Sequence, residues 1–512
     1  MGELKFLQTL PIFIIGQDRG CGIKELQDLN LRGSLIIRNL ENVMSRADAQ
    51  EANLKEKPNL HKLCFSWGSW GHYIDLKLAG NVEETFEGLR PHSNLKRLEV
   101  KGYVGVRFPH WMTSLNLVEI SLINCRRCEQ LPQLGQLPLL KVLVIQGMHA
   151  VKSIGNLFYG DNVAEGFPSL EKLRLEDMPN LEEWSGFNGR EVLPCLNRLF
   201  VVRCPKLTTL PCLQSLKKLK LKDSNEMLLG SVANLTSLSY LNIEDFKELR
   251  SLSGGLFPNH TRLLTLNIWG CAKLESLSRE LGNLAALESL SVVYCDELVS
   301  LPEELQNLTS LQKLRIQDCK GLTSLRLQGL SSLKHLTIQS CKSLTSLMGG
   351  LQHLTALQSL YIMECPELAS LPEDMQHLMS LRQLRIWHCD KLTCLPEWLK
   401  HVTTLEELSI WGLKSLTALP EWIGNLSSLQ YLNIIKCDKL GCLPSGLQLL
   451  TNLDRLIIRD CPQLEKRCEK EKGEDWHYIA HIPDIEIGYT KSESESARGG
   501  KGCGRLLGLK RR

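Results

Sequence analysis

The sequence is poor in aromatic residues and carries none of the common catalytic fingerprints. Phenylalanine, tryptophan and tyrosine together make up 6% of its 512 residues. It contains no GxxxxGKS or GxxxxGKT phosphate-binding loop, no HExxH zinc motif and no GxSxG nucleophile motif. Gly20 and Gly22 do not open a dinucleotide-binding fingerprint, because Glu25 stands where its third glycine is required. We therefore expect a binding protein, not an enzyme, with no cofactor and no metal.

Long apolar runs are missing too, and so is a secretory leader. No stretch approaches the roughly 20 apolar residues of a membrane-spanning helix. The N-terminus lacks the basic region and the apolar region that a signal peptide needs. These absences predict a protein of the reducing cytoplasm without a membrane span.

Positive and negative residues are almost equal in number, which argues against a nucleic-acid-binding protein. The formal net charge is +3. Residues 491–512 alone contain seven Lys or Arg and two Glu, so the rest of the chain is slightly acidic. We interpret residues 490–512, rich in Gly and Ser, as a disordered basic tail.

What the sequence does have is a fixed period. The pattern Leu-x-x-Leu-x-Ile-x-x-Cys-x-x-Leu recurs, for example from Leu263 to Leu274 and from Leu381 to Leu392. Most of its cysteines are 24 residues apart, and Leu413 fills one skipped position. They are Cys271, Cys295, Cys319, Cys341, Cys365, Cys389, Cys437 and Cys461. A period of this size is the signature of a leucine-rich-repeat solenoid. We predict an α/β fold, a curved horseshoe with a parallel β-sheet on the concave face and short helical turns and loops on the convex face.

The residue pattern of one repeat predicts a strand followed by a turn. Leu384 and Ile386 alternate with Gln383, Arg385 and Trp387, so a short strand would direct the apolar pair inward. The cysteine then fills a small buried slot, where its S–H group can donate weakly to turn carbonyls. We therefore interpret the slot cysteines as core residues, neither reactive nor metal-binding. Beyond the slot, prolines favour a non-helical bend; they are Pro302, Pro372, Pro396, Pro420 and Pro444.

The same template extends backwards to the start of the chain. The predicted slots there are Ile15, Leu40, Gly68, Tyr103, Cys125, Met148, Met178, Cys204, Ser224 and Phe246. We therefore predict a repeat domain over residues 1–489 with about 19 repeats. It is irregular over 1–260, regular over 261–465, and closed by residues 466–489. Cys125 and Cys128 form a lone CxxC without a second pair at zinc spacing, so a metal or redox site is disfavoured.

The irregular part resembles a known family. Several ordered segments carry the resemblance: residues 20–43, 86–92, 108–111, 131–138, 151–155, 158–160, 167–170 and 177–184, and, near the end, Trp476 with residues 481–487. In this order they are similar to the repeat domain of plant intracellular immune receptors of the nucleotide-binding, leucine-rich-repeat family, coiled-coil class. The resemblance covers the chain from Met1 to about Tyr489.

The resemblance implies a role in plant innate immunity. In that family the repeat domain recognises a pathogen effector or a guarded host protein and restrains a nucleotide switch. The sequence has no coiled coil, no nucleotide-binding domain and none of their motifs. We interpret the chain as a fragment, a truncated product or a repeat-only relative. Its expected partner is a protein: an effector, a guarded host protein or the nucleotide-binding domain of its own receptor.

Two other function classes stay open. An extracellular receptor ectodomain would need a signal peptide and paired capping cysteines, and glycans at four sequons would favour it; these are Asn234, Asn259, Asn307 and Asn425. A substrate adaptor of a ubiquitin ligase, or another repeat scaffold, would share the solenoid. Such an adaptor would carry a short ligase-binding helical domain at its N-terminus.

Two groups of outward strand residues are candidate partner-binding sites. The first is a basic patch on two adjacent strands: Arg198, Arg203, Lys218, Lys220 and Lys222. Like charges this close on one sheet face destabilise it unless an acidic partner compensates. We consider both an acid-binding surface and a merely solvated strand face.

The second group surrounds two tryptophans at the same outward position of adjacent strands. Its residues are Lys313, Arg315, Tyr361, Met363, Arg385, Trp387, His388 and Trp411. Exposed Trp, Tyr and Arg dominate interface energetics. The alternative is a cross-strand aromatic ladder that only stabilises the sheet.

Overall fold

The strands that carry the inward residues of the repeats lie side by side and run parallel. The computed structural model describes residues 6–488 except 19, 69–81, 161–165, 187–192, 253, 259, 350 and 374–376. The chain forms two units, Met1–Leu287 and Glu288–Arg512. Asn259 and the tail predicted for 490–512 lie outside the described residues, and the division into a repeat domain and a tail stays a prediction.

The first unit contains a ladder of parallel strands. In chain order, its strands are β1 (Ile12–Ile14), β2 (Gly33–Arg38), β3 (Leu60–Ser66), β4 (Arg97–Lys101), β5 (Glu119–Ile123), β6 (Val142–Gln146), β7 (Ser153–Ile154), β8 (Lys172–Glu176), β9 (Glu183–Trp184), β10 (Arg198–Val202), β11 (Lys218–Lys222), β12 (Tyr240–Glu244) and β13 (Thr265–Trp269). Strands β7 and β9 pair with each other, apart from the ladder.

The second unit repeats the arrangement with more even spacing. Its strands are β14 (Ser289–Val293), β15 (Lys313–Gln317), β16 (Ser324–Arg326), β17 (His335–Gln339), β18 (Ser346–Met348), β19 (Ser359–Met363), β20 (Gln383–Trp387), β21 (Glu407–Trp411), β22 (Tyr431–Ile435), β23 (Arg455–Arg459) and β24 (Asp484–Ile487). Strands β16 and β18 form a separate pair. Both units thus have the α/β solenoid architecture that the period predicts.

Short helices fill the connections. The α-helices are Arg46–Glu51, Val82–Gly88, Asn156–Tyr159, Leu228–Val232, Pro462–Arg467 and Trp476–Ile479. The 3₁₀ turns are Ile23–Leu26, Leu40–Asn42, Leu54–Glu56, His110–Ser114, Leu134–Gln136, Arg279–Asn283, Glu303–Asn307, Leu351–His353, Glu397–His401, Glu421–Asn425 and Ser445–Leu449.

The core lies on one side of each ladder, at the second and fourth residues of the five-residue strands. Leu384 and Ile386 of β20 are almost completely buried. Leu384 is in register with Leu360 of β19 and Leu408 of β21, so equivalent leucines stack from strand to strand. Because neighbouring repeats supply the cover, each buried leucine contributes roughly 1.5–3 kcal/mol only within the stack.

A left-handed residue ends most ladder strands and directs the chain into the buried slot. The residue after the strand has positive φ, for example Asp318 (51°), His388 (50°) and Gly412 (67°). Its N–H still donates to the next strand, as from His388 to the carbonyl of Trp411 (2.6 Å). The backbone then turns away, and the following side chain, such as that of Cys389, is buried. Few residue types adopt this backbone readily, and Gly, Asn and Asp are the usual ones.

Two of the predicted slots depart from this pattern. Ile15 was the wrong choice, because its N–H donates to the carbonyl of Arg38 (3.1 Å), as the residue before the slot does elsewhere. Gly16 therefore aligns with the slot of the first repeat, although Ile15 is the more deeply buried of the two residues. In the third repeat the left-handed residue is Gly68 itself (φ 78°), one position later than usual.

The prediction of a non-helical bend after the slot was wrong at four prolines. Pro302, Pro396, Pro420 and Pro444 each stand directly before a 3₁₀ turn, with φ between −66° and −74°. This angle suits the residue that precedes a helical turn, where no backbone N–H is needed. The turn after Pro372 lies partly outside the described residues.

The slot cysteines are free, buried thiols. Cys389 Sγ donates to the carbonyls of Trp387 (3.5 Å) and Ile362 (4.0 Å), which agrees with the predicted role as a weak donor to turn carbonyls. Burial raises the pKa of Cys271 to about 11 and that of Cys389 to about 12. These two thiols therefore carry almost no thiolate near neutral pH.

Replacing Leu384 with alanine should destabilise the second unit by about 2–5 kcal/mol, because it leaves a cavity between Leu360 and Leu408. Met379→Ala is the matched control, since the Met379 side chain is 60% exposed and should change stability by less than about 0.5 kcal/mol. The measurement is the free energy of unfolding in guanidinium chloride. Equal losses in the two variants would contradict this assignment of the core.

Maleimide labelling of the native protein should separate two sets of cysteines. Cys394 and Cys442 are exposed and should react within minutes, whereas the buried Cys365 and Cys389 should react only on unfolding. Peptide mass mapping after a short pulse measures the difference, and the same pulse in denaturant labels all four. Native labelling of Cys389 as fast as Cys394 would contradict the buried slot.

Candidate functional site

The outward face is defined here as the side of each ladder that carries the first, third and fifth residues of its strands. These side chains point away from the leucine core because successive residues of a strand alternate in direction. The ladder register places equivalent positions of neighbouring strands about 4.8 Å apart. Outward residues distant in sequence therefore become neighbours in rows across the strands.

In the second unit, one such row brings the predicted aromatic residues together. Met363 of β19, Trp387 of β20 and Trp411 of β21 are in register at the fifth position. Tyr361 and Arg385 are in register at the third position. We call Tyr361, Arg385, Trp387 and Trp411 the aromatic cluster.

The two tryptophans contact each other edge to face. Their ring centroids are 5.3 Å apart and the ring planes are inclined by 63°. Trp387 Nε1 donates to Ser409 Oγ at 3.1 Å. Trp411 Nε1 is buried and has no acceptor among the described residues. Trp411 also contacts the ring of His388, with centroids 5.6 Å apart.

Arg385 is the hub of the aromatic cluster. Its guanidinium lies 4.8 Å from the ring centroid of Tyr361 and makes two hydrogen bonds to Glu407, Nε to Oε1 at 2.8 Å and Nη2 to Oε2 at 3.2 Å. Burial disfavours the charged guanidinium, but the hydrogen bonds and charge of Glu407 outweigh it and raise the pKa of Arg385. Tyr361 Oη in turn donates to Gln383 Oε1. The cluster is therefore held in one arrangement by its own neighbours.

Sequence reasoning missed the residues that hold the cluster. Gln383, Glu407 and Ser409 are polar outward residues whose importance comes only from lying diagonally across from Tyr361, Arg385 and Trp387 on the next strand. Writing the repeats under one another would have placed Glu407 one strand from Arg385. The bonds themselves depend on side-chain rotamers that a repeat pattern does not specify.

The structure does not bring all the predicted residues of this group together. Lys313 and Arg315 lie on β15, and strand β17 separates them from Tyr361. Arg315 is exposed and donates to the side chain of Gln317, not to the cluster. His388 lies at the left-handed position after β20. Its ring packs closely against Gly412: a Cβ added to Gly412 would lie 2.3 Å from Nδ1 of His388.

In the first unit, most of the predicted basic patch is neutralised internally. Lys220 and Lys222 both contact Glu244 of the next strand, each at 2.5 Å. Burial alone would raise the pKa of Glu244, but the hydrogen bonds from the two lysines hold it below the ordinary value. Arg203 is not on a strand: it is the left-handed residue after β10 and contacts Glu176 at 2.9 Å. The premise that these three cations need an external acid was wrong.

The two remaining residues of the patch are different. Arg198 and Lys218 are exposed and in register with each other. Neither forms an ion pair within the part of the chain that the structure describes. Only these two keep the property for which the patch was predicted.

The lone CxxC is part of the buried core. Cys125 and Cys128 are both buried, and Cys128 Sγ donates to the carbonyl of Gly105 at 3.2 Å. Burial raises the pKa of Cys125 to about 12 and raises that of Cys128 further. Within the described residues, no three metal-ligating side chains converge.

No described helix is both long and apolar enough to cross a bilayer.

Comparison with known proteins points to repeat proteins throughout. A family model described as R13L1/DRL21 LRRs matches residues 23–148 and 390–461, and one described as a leucine-rich repeat region matches 195–415. The chain is 38% identical over 286 residues to RGA1 of Solanum bulbocastanum, covering 55% of this chain and 28% of RGA1. It is 35% identical over 266 residues to Disease resistance protein RGA2 of the same species, covering 50% and 27%. The chain thus spans about a quarter of the length of these relatives.

A solved leucine-rich-repeat protein of Leptospira interrogans is also similar, with 21% identity over 66% of this chain and 81% of that protein and a TM-score of 0.43. The parallel ladders, the periodic buried slot and the family-model matches define a leucine-rich-repeat protein. More narrowly, the chain is similar to the repeat region of plant disease resistance proteins. This confirms the resemblance carried by the irregular segments of the sequence.

A double-mutant cycle at Arg385 and Glu407 should give a coupling energy of about 1 kcal/mol or more, because the pair is two-thirds or more buried and bonded at two points. Arg382 and Glu406, on the same repeats, form a more exposed pair and serve as the control. Their coupling should stay below about 0.5 kcal/mol. The measurement is the unfolding free energy of each single and double alanine variant. Equal coupling in the two pairs would show that Arg385 is not a fixed hub.

Proposed function

We propose that this chain is a protein-recognition region in plant innate immunity. In this proposal its partner is a pathogen effector, a guarded host protein or the nucleotide-binding domain of its own receptor. The protein acts in the cytoplasm and by binding alone, without catalysis or a cofactor. The observation that carries the proposal is the aromatic cluster, which places Tyr, Trp and Arg on the outward face and not in the leucine core.

The composition of the cluster supports an interface. Trp, Tyr and Arg are the residue types most enriched among interface hot spots. In the described residues of this unit, leucine and isoleucine, with valine on β14, fill the inward positions, so packing does not require tryptophan on the opposite side. A residue with no duty in the core is free to serve a partner.

The rigidity of the cluster also supports an interface. Arg385 is fixed by Tyr361 and Glu407, and Trp387 is fixed by Ser409 and Trp411. A partner that docks here would order few side chains, which lowers the entropic cost of binding. The unpartnered Nε1 of Trp411 offers such a partner a buried donor.

The competing explanation is a ladder that only stabilises the sheet, and one experiment separates the two. In leaf tissue, co-immunoprecipitation against a panel of pathogen effectors and host proteins compares the wild type with a Trp387→Ala, Trp411→Ala variant. We expect at least one partner of the wild type to bind about tenfold more weakly to the variant, while circular dichroism shows the variant still folded.

Trp422→Ala is the matched control. Trp422 lies in the 3₁₀ turn Glu421–Asn425, off the outward face, where Nε1 donates to Glu397 at 2.9 Å. Its loss should leave partner binding unchanged. Intact binding together with a lower melting temperature in the double variant would leave the ladder as the whole role of the tryptophans.

A further inference from the structure

Three cations stand side by side at the first position of adjacent strands in the first unit. Lys172 of β8, Arg198 of β10 and Lys218 of β11 are directly in register. We call them the cation row. Their backbones are about 4.8 Å apart, and like charges directly opposite each other destabilise a sheet.

The cation row lacks the compensation that its neighbours have. On the same strands, Arg174 contacts Glu176, and Lys220 contacts Glu244. No residue of the cation row forms an ion pair with any carboxylate that the structure describes. Glu171 lies near Arg198, but its carboxylate is bound by Lys141 at 2.9 Å. The row is therefore an open positive strip beside a neutralised surface.

An aromatic ring lies next to the cation row. Phe200 is the third residue of β10 and is half-buried. Lys172 Nζ lies 5.5 Å from its ring centroid, and the guanidinium of Arg174 lies 5.9 Å from it. The ring gives the strip an apolar contact as well as charge.

A buried acceptor without a donor lies on the next strand. Asn242, the third residue of β12, is only 8% exposed, and its Oδ1 has no hydrogen-bond partner among the described residues. Its Nδ2 donates to Glu244 at 3.4 Å, so the unpaired atom is the oxygen. A buried acceptor left unpaired is costly, and it lies on the outward face, where a partner can supply the missing N–H.

We propose that the cation row, Phe200 and Asn242 together bind an acidic, extended segment of a partner protein. Carboxylates of the segment pair with Lys172, Arg198 and Lys218, an apolar side chain covers Phe200, and an N–H group of the segment donates to Asn242 Oδ1. The proposal rests on the proposed role of the outward faces in protein recognition, but it concerns a different surface from the aromatic cluster. A polypeptide fits better than a nucleic acid, because it supplies carboxylates, apolar groups and N–H donors from one strand.

The test uses the full chain and a fluorescent peptide of about ten residues with alternating Glu and Ala. Fluorescence anisotropy should show binding that weakens steeply with added salt, and little binding of the same peptide with Gln in place of Glu. Arg198→Gln with Lys218→Gln should weaken binding about tenfold at low salt. Lys342→Gln with Lys439→Gln is the control: the same charge is removed from exposed residues outside the strands, and binding should not change.

Asn242→Leu supplies a second, independent readout. Removing an unpaired buried acceptor should leave the melting temperature unchanged or raise it, while peptide binding weakens about threefold. A purely structural role for Asn242 would instead lower the melting temperature without affecting the peptide.

Several results would overturn the proposal. These are absence of peptide binding, equal weakening in the two Gln pairs, and tighter binding of a short single-stranded DNA than of the acidic peptide. Trp387→Ala with Trp411→Ala should leave peptide binding intact. Failure at the cation row can thus be told apart from failure at the aromatic cluster.

Discussion

The register of parallel strands is the constraint on which the rest of the structure depends. Two inward residues per strand lie in the core, and the equivalent residues of the next strands pack beside them, as Leu360 and Leu408 do beside Leu384. The same register fixes which outward residues become neighbours, so the core and the candidate interfaces follow from one pairing. A left-handed residue follows most ladder strands and ends them at the same position of the repeat.

Outward residues of this protein fall into two kinds. Some bind one another across the strands, such as Arg385 with Glu407, or Lys220 with Glu244. Others, such as Arg198 and Lys218, have no such partner among the described residues. The first kind makes the outward face rigid and nearly neutral. The second kind leaves separate charged positions, where the attraction to a partner can exceed the cost of desolvating the charges.

The period alone was enough to predict the strands, the inward leucines and nearly all the buried slots, because these depend on residue types at fixed spacing. It did not show that Ile15 stands one residue before the slot of the first repeat, or that Pro302 precedes a helical turn. The charged patch was only half predictable. Whether Lys222 needs an external acid depends on Glu244, which is 22 residues away, and on rotamers that bring the two side chains to 2.5 Å. Such pairing requires coordinates.

The bond between Arg385 and Glu407 has a consequence for how this surface can diverge among descendants of the gene. A single replacement of Arg385 would leave the mostly buried carboxylate of Glu407 without its partner and uncover the ring of Tyr361. The two residues must therefore covary or stay fixed. The cation row carries no such linkage, so its residues can be exchanged one at a time. New binding specificities should therefore arise first at residues that lack a side-chain partner, such as those of the cation row. The residues of the aromatic cluster should change together or not at all.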